Sequence, residues 1–273
     1  RTAVKRFIHC FFRVSILSIW MASSAVAGSI KLPPPEDRPS VEQLVKFFDT
    51  TVFGSEFETL KPSTKVRKWQ RPLRIVVREY GEIVSQSSSG RQIRNLELQT
   101  VSKAHLDMVQ KHLNTLVQLT GLKTQDSQKS RWPANFTINF VPPLQLSNPH
   151  FADIGGGTLR RLAAQGGCYF LTWLDKKGTN MNKAVIVINK ARKPFKTDHC
   201  ILEEMAQSLG LPNDSNPSWP SIFANTGAQP NLSWVDQVII KTLYDSRMTP
   251  GMPRKRALEL ARVIITEIYR KQR

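Results

Sequence analysis

The sequence predicts an α+β domain, and three observations carry that prediction. Apolar residues alternate at Leu73, Ile75 and Val77, the period of a strand with one covered face. They recur at Leu106, Val109, Leu113, Leu116 and Val117, the period of an amphipathic helix. Further strand-like runs follow before the next helical one, so the two kinds of element are interleaved. With 273 residues, 40% of them hydrophobic, the chain has material for one sizeable core.

Residues 1–27 read as a signal peptide. Arg1, Lys5, Arg6 and Arg13 form a basic start, Val14 to Met21 is mostly apolar, and Ala25-Val26-Ala27 offers cleavage after Ala27. A retained anchor is the alternative, but the apolar run is short and Pro33-Pro34-Pro35 follows closely, so no stable membrane span is expected after cleavage. The expected location is periplasmic or secreted. Cleavage leaves 246 residues and removes four cations and no anion, which lowers the formal charge from +18 to +14. That charge attracts acidic surfaces, yet the basic residues are dispersed and no nucleic-acid-binding motif is present. No nucleic-acid partner is expected. Of the three cysteines, Cys10 falls in the signal segment. Cys168 and Cys200 remain, an even pair in an oxidising compartment, which predicts a disulfide, with two buried free thiols as the alternative.

Residues 28–39 form a proline-rich leader, read as extended. Ser40 opens a helix, with Gln43 completing a capping box. Arg71 to Glu79 is the first strand, followed by a polar loop from Ser85 to Gly90. Thr100 to Gly121 is the longest helix. Its His105 and His112 stand seven residues apart, too far along a helix to share a metal, and are expected on the surface. Phe136 to Val141 is a second strand. The stretch Asp153 to Gly157 lacks the Lys-Ser/Thr of a phosphate loop and reads as a flexible or tightly turning loop. Cys168 to Asp175 and Ala184 to Asn189 are two strands joined by a polar turn. A helix from Ser233 to Asp245, capped by Ser233 with Asp236, precedes a basic amphipathic helix from about Pro253. The last helix gathers Leu258, Ala261, Ile265 and Ile268 on one face, which predicts docking on the domain rather than a membrane-surface role.

The most informative stretch is His199 to Asp214. Asp198 is a candidate N-cap, and Gly210 followed by Pro212 is a stop signal, so a helix of about three turns is predicted between them. Advancing about 100° per residue places Glu203, Gln207 and Gly210 on one stripe with Glu204 beside it. Ile201, Leu202, Met205 and Leu209 gather on the opposite, core-facing side.

This register resembles H-E-x-x-H-x-x-G-x-x-H of the metzincin zinc metallopeptidases, and reads Glu203, Glu204, Gln207, Gly210, Asn213 here. The resemblance implies a metzincin-like (zincin) domain over residues 40–273. It would hold a small twisted mixed sheet, a long helix and the motif helix in an N-terminal half of about 40–211. C-terminal helices would fill a second half of about 212–273. Glu204 takes the place of the general base, while Glu203, Gln207 and Asn213 replace the three histidines. Ser221-Ile222-Phe223 falls where that family has its Met-turn, with Phe223 in place of Met. The chain is also similar to a family of exported bacterial proteins of unknown function. That similarity runs through Phe53-Gly54-Ser55-Glu56, Lys68-Trp69, Cys200-x-x-Glu203-Glu204-x-x-Gln207-x-Leu209-Gly210-Leu211-x-Asn213-Asp214, Ser221-Ile222-Phe223 and Leu243-Tyr244-Asp245. It brings no activity with it.

Zinc prefers imidazole and thiolate, whereas Glu203, Gln207 and Asn213 offer one carboxylate and two amide oxygens. No metal or other cofactor is therefore expected there; zinc is disfavoured and a hard cation is the alternative. Two functions that use the motif remain, beside a basic binding protein that makes no use of the cleft. In the first, the chain is a pseudopeptidase, a non-catalytic binding or structural protein of the cell envelope. Glu203 and Gln207 then hold the loop around Asn213, Asp214 and Ser221, and a cleft beside the strand pair takes an extended peptide or an envelope component. In the second, it is an atypical hydrolase, a peptidase or cell-wall-acting enzyme, in which Glu204 works with Glu203 or Asp214 as acid and base. Adjacent helical residues point about 100° apart, so Glu203 and Glu204 are not expected to face each other.

Overall fold

The computed structural model describes residues 30–55, 62–127, 130–151, 154–164, 167–224 and 229–271. The expected signal peptide lies outside them. The described elements are α1 (Val41–Phe53), β1 (Leu73–Gln86), β2 (Gln92–Gln99), α2 (Lys103–Thr120), β3 (Thr124–Asp126), β4 (Phe136–Val141), α3 (Gly156–Ala164), β5 (Cys168–Leu174), β6 (Met181–Asn189), α4 (Pro194–Gln207), α5 (Trp234–Tyr244) and α6 (Arg254–Arg270). The strands form one mixed sheet with helices packed against it, so the chain is α+β.

Local chemistry sets the helix ends. The Ser40 hydroxyl accepts from the Gln43 amide and the Gln43 side chain accepts from the Ser40 amide, closing the capping box that starts α1. Ser233 and Asp236 do the same for α5. Ser102 caps α2, and Gly121 ends it in the left-handed region at φ 67°, a conformation that favours glycine.

The sheet runs β2-β1-β4-β6-β5, with β3 beside the start of β1. β1, β4 and β6 are parallel neighbours, while β2 and β5, at the two ends, are antiparallel to theirs. Alternation divides the side chains between two cores. Ala184, Ile186 and Ile188 of β6 face the larger one with α2, α4 and α5. Val185 and Val187 face a smaller one with Leu159 and Leu162 of α3. α6 buries Ala257, Ala261, Ile264 and Ile265, and docks on α1 and α5 as its apolar face predicts. Arg254 and Arg262 reinforce this with two-pronged bonds to Asp49 and Glu42 of α1.

Several expectations are corrected. The leader, expected to be extended, takes a turn of 3-10 helix at Pro35–Asp37; it is packed down, with Ile30 buried in the main core and the Tyr269 hydroxyl of α6 donating to the Pro39 carbonyl. The first strand runs on to Gln86 and turns into β2, whose residues are nearly all exposed and therefore lack an alternating pattern. Residues 156–164 form α3, so part of the glycine loop is helix; Asp153 lies outside the described residues. The two helix histidines are not on the surface. His105 stacks on Phe140 with ring centroids 4.0 Å apart and meets Glu79 through Nδ1. His112 is buried and meets Asp198 at 2.6 Å. Burial holds the His112 imidazole below its ordinary value, against the opposing pull of Asp198. Asp198 is consequently no N-cap. It sits inside α4, which begins a turn earlier with Pro194 at its first position, where a missing N–H costs nothing.

Candidate functional site

The site is built on the second half of α4 and the chain that leaves it. α4 packs against α2, β5 and β6, so most of its circumference is covered. Glu204 and Gln207 are buried along with Ile201, Leu202 and Met205, which replaces the expected division into a core face and an open face. The Cys168–Cys200 disulfide is present, with Cα atoms 6.2 Å apart, and ties edge strand β5 to α4.

Beyond Gln207 the helix ends in a tight turn at Gly210, φ 115°. A Cβ there would lie 2.4 Å from the Arg67 carbonyl oxygen, so glycine is required both for its conformation and for the close approach. The carbonyls just past the end of α4 are claimed from outside. Trp69 Nε1 donates to the Ser208 carbonyl at 2.9 Å and the Tyr244 hydroxyl to the Leu209 carbonyl at 2.7 Å. Lys68 Nζ donates to the Leu243 carbonyl at 2.8 Å, capping the end of α5. Burial pushes the Lys68 amine down to about 8, in spite of nearby Asp245. The short strings Lys68-Trp69 and Leu243-Tyr244-Asp245 thus meet at one place, the end of the motif helix.

Glu203, Gln207 and Asn213 each have an internal partner. The Glu203 carboxylate lies 3.3 Å from His199 Nε2, one turn back. The other ring nitrogen of His199 donates to the Gln229 carbonyl at 3.0 Å. Burial disfavours charge on His199, but Glu203 together with the Gln229 carbonyl outweighs it and holds the imidazole above its ordinary value. Gln207 Nε2 donates to Asp214 Oδ1 at 2.7 Å. Asn213 Nδ2 donates to the Thr50 carbonyl at 3.0 Å and to the Asp214 carbonyl at 2.8 Å, bracing the loop against α1. Gly54, at the end of α1, makes room: a Cβ there would lie 2.4 Å from Asn213 Nδ2.

Ser221 and Phe223 belong to the frame. Ser221 Oγ donates to Asp236 Oδ1 at 2.6 Å and accepts from the Phe223 amide at 3.1 Å. Asp236 Oδ2 accepts from the Ile222 and Ser233 amides. Asp236 has no exposed surface, and its burial pushes the carboxyl up against the pull of these donors. Phe223 is fully buried and packs on Phe47 of α1 at 6.4 Å between centroids.

Glu203 and Glu204 are closer than their positions on the helix predict. One oxygen of each, with Sγ of Cys168, lies within 4.8 Å of the other two. Side-chain torsions bring together what the backbone points apart. The Cys168 sulfur is in the disulfide and carries no thiolate, so two carboxylates remain as donors, too few for a zinc site. Gln207 and Asn213 donate their amide N–H groups to protein oxygens. Sequence reasoning missed His199, whose spacing of four from Glu203 was the available signal.

A family model described as protein of unknown function (DUF2927) matches residues 41–262. No curated protein and no solved structure matches the chain.

Proposed function

This chain belongs to the DUF2927 family of proteins of unknown function, and on that premise we propose that it is a non-catalytic binding or structural protein of the cell envelope with a degenerate metzincin-like domain. The observation that carries the reading is the use of the three ligand-equivalent positions. Glu203 is engaged with His199, Gln207 with Asp214, and Asn213 with Thr50 and Asp214. The hydrogen bonds of Gln207 and Asn213 do there what a metal would otherwise do, fixing the turn after α4 to Asp214 and to Thr50 of α1. The disulfide fits an oxidising compartment, and no helix among the described residues is long and apolar enough to cross a membrane. β5 ends the sheet beside Glu203 and Glu204, which supports strand addition by an extended peptide as the mode of binding.

The test is metal content and metal-linked stability of the oxidised protein. A native-state ligand at a hundredfold excess over its dissociation constant adds about 2.7 kcal/mol. The reading expects no co-purified metal and unchanged thermal unfolding with zinc, calcium, manganese or a chelator. A metal whose stabilisation disappears in Glu203→Ala overturns it.

One observation favours a second reading, the hydrolase in which Glu204 works with Glu203. Their oxygens lie within 4.8 Å, near the roughly 5 Å at which paired carboxyl groups act in retaining glycoside hydrolysis. Glu204→Gln would then abolish hydrolysis of a peptide or cell-wall polymer while leaving the fold intact; the binding reading expects no hydrolysis to lose.

A further inference from the structure

Cys168, Cys200, Glu203 and Glu204 form a second constellation, which shares Glu203 and Glu204 with the register on α4 and adds the two cysteines. Cys200 precedes the two glutamates by three and four residues on α4, the spacings that share one face of a helix. Cys168 reaches the same place from β5 through the disulfide. Its sulfur and the two carboxylate oxygens already lie within 4.8 Å of one another, and Cys200 and Glu204 are only 1% and 6% exposed. Glu203 is held from behind by His199, a carboxylate–imidazole contact of the kind that orients metal ligands.

We propose that reduction of the Cys168–Cys200 bond converts this cluster into a zinc site of two thiolates and the Glu203 and Glu204 carboxylates. A dithiol supplies two electrons and two protons to the disulfide and leaves as its own disulfide; the bound Zn2+ then displaces both thiol protons to solvent. In a tetrahedral site with Zn–S near 2.3 Å, the two sulfurs stand roughly 3.7 Å apart, so they must separate from bonding distance, and the carboxylate oxygens, within 4.8 Å of each other and of Cys168 Sγ, must close to about 3.5 Å. The two soft thiolates select zinc over calcium or magnesium. The disulfide form offers only the two carboxylates, so the site opens and closes with redox state. The inference concerns the reduced chain and does not rest on the binding function proposed for the oxidised one.

The experiment uses Co2+ as a spectroscopic stand-in, with Zn2+ as competitor, on the purified protein. One sample keeps its disulfide; the other is reduced with a small dithiol that is removed without air. Expected are one equivalent of cobalt with thiolate-to-cobalt charge-transfer absorption in the reduced protein, its displacement by zinc, and no such absorption in the oxidised one. Glu203→Gln and Glu204→Gln, each reduced, should weaken binding at least tenfold while leaving the near-ultraviolet circular dichroism of the protein intact. Absence of the charge-transfer band in reduced protein overturns the proposal. So does a reduced chain that loses its tertiary dichroism before metal is added. Undiminished affinity in both variants does the same, since two thiolates would then bind without the glutamates.

Discussion

Gln207 Nε2 donates to Asp214 Oδ1 across 2.7 Å, joining the last residue of α4 to the loop that follows the Gly210 turn. Because Gln207 is buried, its replacement leaves a polar partner short of a donor rather than returning one to water. Gln207→Ala should cost about 1–3 kcal/mol in urea unfolding. Gln207→Glu would set two carboxylates at that distance, so it should destabilise at neutral pH and recover as acid protonates one of them.

Gly210→Ala tests the turn itself. The added Cβ would meet the Arg67 carbonyl oxygen at 2.4 Å in a backbone of φ 115°. Left-handed strain and the clash together should cost at least about 2 kcal/mol, because the neighbour is backbone and cannot swing aside. Denaturation that matches wild type would refute this account of the helix end.

Asp236 anchors two segments at once through Ser221, Ile222 and Ser233. Asp236→Ala should lose roughly 2–4 kcal/mol, combining a helix cap with stranded backbone amides. Ser221→Ala, which removes one donor, should lose less. Chemical unfolding of both variants gives the order, and a reversed order would show that the carboxylate is not the hub.

The two buried histidines give opposite pH dependences. His199 is held above its unfolded value of 6.5 by Glu203, so its contribution is full below pH 6.5 and is lost as pH rises through the folded value. The loss of stability in His199→Gln should therefore be larger at pH 6 than at pH 8.5. His112 is held below 6.5 by burial, so its contribution is present above pH 6.5 and lost as pH falls toward the folded value. Unfolding free energies across pH 5 to 8.5 for wild type, His199→Gln and His112→Gln read both signs. Equal losses at the two ends of the range would refute them.

The Cys168–Cys200 bond closes a loop with a sequence separation of 32. Loop entropy alone predicts that the double serine variant loses about 3 to 4 kcal/mol. For a domain of this size the melting temperature should fall by on the order of 10 °C. A shift of a degree or two would mean that the reduced chain is already held together by α4 and β5 packing.

The sequence by itself determined the elements whose signal is local. The Ser40 and Ser233 capping boxes, the glycine stop at Gly121, the strand alternation at Leu73, Ile75 and Val77 and the apolar face of α6 are each set by residues close together in the chain, and each is found where it is expected. The cysteine pair was legible because only two cysteines, Cys168 and Cys200, stand beyond the first 27 residues. Tertiary structure decided the rest. β2 has no buried face to leave an alternating pattern, and α3 hides behind glycines that discourage a helix. His112 is buried because Asp198 comes to it from 86 residues away, and Glu203 meets Glu204 because rotamers, not backbone direction, set the last few ångströms. Periodicity records which side of an element is covered. The partner that satisfies a polar group is chosen by chain folding from distant segments, and no local pattern records that choice.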